Sequence, residues 1–324
     1  MTKYQKILSG ILVLQIALVG WVFWPKEPAN SQREPLLGDL KVDEIVDLRI
    51  TDESGKTIHF SKVGQDWTLP EAGDYPVDGE KIQNLLDDLV KVNTGSLVAE
   101  TETSHKQLQV GDETYARKVD LGMAGGSQTG FFVGSSAGAS TAHIRKFGDS
   151  NVYLTDALTS YELGTTGSGW IDTAYVNVPS TTVNRFVIRN ASGELVFEKD
   201  ASGGWQMQGL EPERTVMGSS VDRLVGAAAA MRMVEPVAKE ADAAFGLDDP
   251  AAVVVFIAKD EAGAQSEHEI LIGSQDPKDN NYYAHYSGSD YYVKISAYTA
   301  EQFIDAARDD FLEAQATPTS VSVD

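Results

Sequence analysis

One pattern occurs twice in this chain. Ile45 to Trp67 reads IVDLRITDESGKTIHFSKVGQDW, and Val183 to Trp205 reads VNRFVIRNASGELVFEKDASGGW. Each passage alternates apolar and polar residues, turns at Ser-Gly, alternates again, and passes a glycine-bearing turn to reach a tryptophan. Alternation with period two marks a half-buried strand, and a polar turn between two such runs marks a hairpin. Trp67 and Trp205 lie 138 positions apart, and Gly134 and Gly273 recur at 139. A chain that repeats its opening hairpin and its later landmarks at almost the same offset is a tandem duplication, with Trp67 and Trp205 as core anchors of the two copies.

The rest of each copy follows the same plan. In the first, Asp78 stands as an N-cap before Ile82, Leu85, Leu86, Leu89 and Val90, spaced as one face of a helix to about Val92. Strands are expected near Leu97–Ala99, Tyr115–Leu121, Gly130–Val133, Ala142–Phe147 and Asn151–Leu154, with a short helix over Asp156 to Leu163. The second copy offers a helix near Val216 to Met231 and an apolar run, Ala252 to Ala258, read as a central strand covered on both faces. A hairpin over Tyr282–Tyr286 and Tyr291–Ile295 and a helix from Tyr298 to Leu312 close it. Strands clustered around few helices give the class α+β, with mainly antiparallel sheet in two similar sheet-plus-helix domains.

Ahead of both copies, Ile7 to Trp24 is an 18-residue run interrupted only by Ser9, Gln15 and two glycines. As a helix it would span about 27 Å, enough for a hydrocarbon core. Lys3 and Lys6 precede it, which favours a cytoplasmic N-terminus, and Trp21 and Trp24 suit the far membrane interface. The run is longer than a signal peptide's apolar core, and no convincing small-x-small cleavage site follows it, so a retained anchor is preferred over cleavage. The expected organisation is a cytoplasmic N-terminus (1–6), transmembrane helix (7–24), linker (25–39), first repeat (40–164), connection (165–182), second repeat (183–312) and flexible tail (313–324). The bulk of the chain is then expected on the extracytoplasmic side of the inner membrane.

Charge narrows the partners. The net charge is −22, and beyond Lys26 the chain carries 23 basic against 48 acidic residues. Such a surface repels phosphate backbones, which argues against nucleic-acid binding. The absence of cysteine removes disulfides, thiolate chemistry and cysteine metal sites.

Chemistry-bearing motifs are sparse. Gly134-Ser135-Ser136-Ala137-Gly138 matches the G-x-S-x-G spacing of a nucleophile elbow, but here it runs into another strand and not into a helix. The five histidines, His59, His105, His143, His268 and His285, show no compact ligand spacing. Asp248, Asp249, Asp276 and Asp279 cluster without a calcium-loop pattern and read as turn residues. Tyr282, Tyr286, Tyr291 and Tyr292, with His285, offer an aromatic patch for a partner or ligand. No catalytic, cofactor or metal set emerges, and the expectation is a chain that is not an enzyme and carries no cofactor.

These landmarks together resemble a known family. The N-terminal apolar segment, the strand-turn-strand-Trp openings, LLDDLVKV, FGLDDP before a strand, and ILIGSQDP before YYAHYSGSDYYV are similar to the bacterial domain of unknown function 4340 family, over about residues 40–312. The resemblance implies a membrane-complex accessory, because members are often encoded beside ABC-type transport components of the gliding-motility auxiliary kind. The first copy departs from the pattern: LQVGDE (108–113) stands in place of FGLDDP, and Arg145 in place of His285. The expected role is a non-catalytic extracytoplasmic accessory or scaffolding protein with envelope-protein partners, among them ABC-type transporter subunits. The alternative is a glycan- or peptide-binding module using the tyrosine hairpin.

Overall fold

The computed structural model describes Gln15 and residues 34–313, apart from Gly95, Ala139 and Glu261. Apart from Gln15, the 7–24 segment and its tryptophans lie outside the described residues, as do residues 314–324 of the tail. Among the described residues, no helix is long and apolar enough to cross a membrane.

The first stretch forms β1 (Ile45–Asp52), β2 (Thr57–Val63), β3 (Asp66–Leu69), β4 (Tyr75–Pro76), α1 (Gly79–Lys91), β5 (Ser96–Ala99), α2 (Glu102–Gln107), β6 (Arg117–Met123), β7 (Gln128–Gly138), β8 (Thr141–Lys146) and β9 (Val152–Thr155). The second forms β10 (Val183–Asn190), β11 (Gly193–Lys199), β12 (Trp205–Met207), α3 (Gly218–Ala229), β13 (Glu235–Ala238), β14 (Ala252–Lys259), β15 (Gln265–Gln275), β16 (Tyr282–Tyr286), β17 (Tyr292–Ile295) and α4 (Ala297–Ile304). The class is α+β, mostly β.

The strands make two sheets. One has the order β4-β3-β2-β1-β6-β7-β8-β9-β5, the other β12-β11-β10-β14-β15-β16-β17-β13. With the two-residue β4 removed, the orders coincide position by position. Eight strands threaded in the same non-sequential order, with a helix at the same point of each, are one topology used twice.

The chain divides into two compact units. One holds the described residues up to Glu44 with Asp87–Val119 and Thr129–Leu163. Its core includes Val110, Phe132 and Val152, against which Ala99, Leu108, Tyr115 and Phe147 pack. The other holds Ile45–Leu86, Asp120–Gln128 and the described residues from Gly164 onward. Phe60, Phe186, Phe197 and Phe256 are fully enclosed there, each contributing about 2–3 kcal/mol by removal from water. Trp67 and Trp205 are buried, at 7% and 6% exposure, and Trp205 Nε1 donates to Asp222 at 2.7 Å.

Local physics accounts for the element ends. Asp78 Oδ1 accepts the amides of Glu80 (3.1 Å) and Lys81 (3.2 Å), which caps α1. Ile82, Leu85, Leu86 and Leu89 are its buried face. The helix expected over 298–312 stops at Ile304, because Asn190 Nδ2 captures the carbonyls of Phe303 (2.8 Å) and Ala306 (2.9 Å). A separate 3-10 turn, Arg308–Phe311, follows. No helix forms over 156–163: Glu162 accepts both the amide and the hydroxyl of Thr159, closing a turn instead.

β14 is central in its sheet but not covered on both faces by apolar layers. Ala252, Val254, Phe256 and Ala258 are buried, while Val253, Val255 and Ile257 are only half-buried. A small depression on that second face is lined by Val255 and Ile257 together with Arg185, Arg189, Glu267 and Glu269. Charged side chains with long aliphatic stems can cover apolar strand residues without a second layer.

Candidate functional site

A cleft of about 700 Å³ opens on the second compact unit, and every residue lining it belongs to that unit. One wall comes from β1, β2 and the Pro70–Ala72 turn, with Arg49, His59 and Glu71. The other comes from β13, β16, β17 and the turn before β16, with Glu235, Asp276, Lys278, Tyr283 and Lys294. Register explains how each wall is populated. Arg49 lies opposite His59 and Asp47 opposite Ser61, so these side chains share a face, while Leu48, Ile50, Ile58 and Phe60 take the buried face. On the facing wall Tyr283 lies opposite Lys294, and His285 opposite Tyr292.

Lys294 is the centre of the second wall. It is buried at 8% exposure, and its Nζ reaches Asp276 Oδ2 at 2.7 Å, Asp279 Oδ2 at 2.8 Å and Glu235 Oε1 at 3.1 Å. Three N–H donors thus meet three carboxylates, the full capacity of an ammonium. Burial disfavours the charge, but the hydrogen bonds Lys294 donates to Asp276, Asp279 and Glu235 together outweigh that and raise the amine above its ordinary range. The Lys294 hydrogen bond, assisted by the Lys278 amide, holds Asp276 down to about 2. Tyr283 donates to Asp276 Oδ2 at 3.0 Å; burial, then that hydrogen bond, push its phenol up.

On the first wall, His59 Nε2 lies 2.6 Å from Asp47 Oδ2 and its Nδ1 lies 2.7 Å from Glu71 Oε1. Arg49 is loosely held, at 3.5 Å from Asp47 and 3.4 Å from His59.

The acidic cluster read from the sequence is therefore divided. Asp276 and Asp279 embrace a lysine, and Asp248 and Asp249 are not among that lysine's partners. Among the described residues, no group of three or more histidines and carboxylates is arranged to hold a metal ion.

The tyrosine hairpin is also divided. Tyr282 faces Ile295 and Tyr286 faces Ile270, both buried, whereas His285 and Tyr292 pair on the opposite face. Tyr292 stacks on His285 (4.5 Å) and packs against Phe245 (5.5 Å). Tyr286 meets His268 Nδ1 at 2.6 Å and the ring of Tyr175 edge-on. Tyr291 packs edge-on against Tyr75 (4.6 Å) and donates to the Asp74 carbonyl at 3.1 Å. The five residues do not form one continuous face.

Ser136 closes a turn, its hydroxyl lying within hydrogen-bond reach of the carbonyls of Gly138 and Thr141. The neighbouring Ser135 Oγ lies 3.2 Å from His143 Nδ1, but that nitrogen also lies 2.8 Å from the Ser135 carbonyl. A carbonyl only accepts, so Nδ1 carries the proton and cannot act as a base toward Oγ. In the other compact unit, Arg145 is buried where the second copy has His285. Its fork reaches the Val110 carbonyl (2.6 Å), the Asp149 carbonyl (2.8 Å) and Asp112 (2.6 Å), and it lies over the Phe132 ring.

Lys294 was missed by sequence reasoning. Its only signal was a lysine between Val293 and Ile295 on an inner strand.

A family model described as "Domain of unknown function (DUF4340)" matches residues 67–219 and again residues 215–320. No curated protein and no solved structure matches the chain.

Proposed function

The chain belongs to the DUF4340 family, and from that premise we propose that it is a membrane-tethered accessory protein. In this reading the duplicated domains stand on the extracytoplasmic side of the inner membrane and hold other envelope proteins, ABC-type transporter subunits among them. The observation that carries it is the 18-residue apolar segment Ile7–Trp24, flanked by Lys3 and Lys6, ahead of two copies of one domain. The family resemblance supplies the transporter partner.

The polar residues favour a scaffolding role over a catalytic one. Lys294 is saturated by carboxylates, His59 lies between two more, and Ser136 serves a turn. Such networks fix side chains in place. The tyrosine hairpin gives less support to a glycan- or peptide-binding role, since its rings pack on neighbours within the fold.

The test is gentle detergent extraction of membranes containing the full chain, followed by affinity capture. Transporter subunits should accompany it, and alkaline carbonate washing should leave it in the membrane fraction. Release by carbonate would end the tether; capture of the chain alone would end the scaffolding role.

A further inference from the structure

The cleft's hydrogen-bonding capacity is unequally used. Its lining carboxylates are occupied: Glu71 by His59, Glu235 by Lys294, and Asp276 by Lys294, Tyr283 and the Lys278 amide. Apart from Lys294, its cations are not. The Lys56 and Lys278 ammonium groups meet no partner among the described residues, and Arg49 is held only at 3.4–3.5 Å. Both lysines stand on fixed turns, for Asp52 Oδ1 accepts the Lys56 amide at 3.0 Å and Asp276 Oδ1 the Lys278 amide at 3.0 Å. The unmatched groups are therefore all donors of positive charge, carried on anchored backbone, around a concavity with Ile58, Leu69, Pro236 and Val237 in its walls. A volume of this size suits a small molecule, and apolar walls strengthen charge–charge attraction inside it. In a chain of net charge −22, three cations on one lining without a close carboxylate run against the overall field.

We propose that this cleft binds a small oxyanion-bearing molecule, with its acid group among Arg49, Lys56 and Lys278. The shared chemistry is a carboxylate or a phosphate: either offers several acceptor oxygens to a guanidinium and two ammonium groups. This site is independent of the tether, because every residue it needs lies in one compact unit.

The experiment is calorimetric titration of the full chain in neutral detergent at low salt, with citrate in one arm and inorganic phosphate in the other. Saturable binding of either is expected, and the arm that binds names the acid. A Lys56→Ala/Lys278→Ala double variant should weaken it at least tenfold. A control variant, Lys41→Ala/Lys106→Ala, removes the same charge away from the cleft and should bind as the parent does. Circular dichroism would confirm that both variants fold. No saturable binding in either arm, or equal losses in the two double variants, would overturn the proposal.

Discussion

Gly134 and Gly273 hold the same place in the two copies, and each is a glycine for the same reason. A Cβ on Gly134 would fall 2.0 Å from the Leu108 carbonyl oxygen, and one on Gly273 would fall 2.0 Å from that of Phe245. In both copies the obstructing carbonyl precedes a left-handed residue, Gln109 (φ 56°) or Gly246 (φ 66°). LQVGDE and FGLDDP, unlike as sequence, thus deliver one backbone contact to one strand position.

Gly134→Ala and Gly273→Ala should each destabilise the protein by about 3 kcal/mol, since backbone must shift to admit the methyl group. Gly125→Ala, where nothing lies within 4 Å, should change stability by less than about 0.5 kcal/mol. Urea midpoints at constant slope measure all three. A tolerated Gly273→Ala would show that the turn is free to move.

The opening hairpins, the face of α1 and the family were legible because each rests on a local period or a local turn. Leu48, Ile50, Ile58 and Phe60 alternate in sequence and are buried together. α2 was invisible: Glu102–Gln107 is a polar six-residue helix that buries only His105, so it leaves no apolar stripe. The cleft was illegible for another reason. Lys294 meets Glu235 and Asp276 from separate turns and strands, and strand register alone brings them together. Ala252–Ala258 misled because charged side chains over Val255 and Ile257 leave no trace in a hydrophobicity pattern.

Arg145→Lys should cost about 2–3 kcal/mol. The guanidinium reaches two carbonyls and a carboxylate at once, and a lysine's point charge cannot reproduce that fork. The buried Val110 carbonyl would lose its donor. Thermal unfolding compared with Lys146→Arg, a change at a half-buried site on the same strand, would isolate the effect; an equal melting temperature for Arg145→Lys and the parent would refute it.

Gly226→Ala should stabilise the protein by about 0.5–1 kcal/mol. The residue lies inside α3, has open space where a Cβ would go, and gives the unfolded chain freedom that alanine removes. A lower urea midpoint would mean that α3 packs more closely there than its surroundings allow.

Tyr175 provides an alkaline marker. Its hydroxyl donates to the Tyr291 carbonyl at 2.6 Å and accepts the Tyr286 amide at 2.9 Å, and burial pushes its phenol up to about 12. Its share of stability is therefore intact below pH 10 and withdrawn as pH climbs toward 12. Ultraviolet titration should show a late phenol that disappears in Tyr175→Phe, a variant costing about 1–3 kcal/mol because both backbone partners lose their bond.

Asp276 and Lys294 set the acid limit. A carboxylate held down to about 2 in the fold, against 3.8 when free, binds its proton more readily in the unfolded chain. Its contribution is complete above about pH 4 and is lost as pH falls through about 2. Unfolding midpoints measured from pH 5 to pH 2 should therefore fall steeply in the parent and less steeply in Asp276→Asn. Lys294→Met should do more than flatten the curve. It leaves Asp276, Asp279 and Glu235 facing one another without their shared cation, a loss of about 3 kcal/mol or more at neutral pH that eases as the carboxylates protonate. A Lys294→Met protein as stable as the parent at pH 7 would mean that the three carboxylates do not depend on that ammonium, and the account of the cleft's second wall would fall with it.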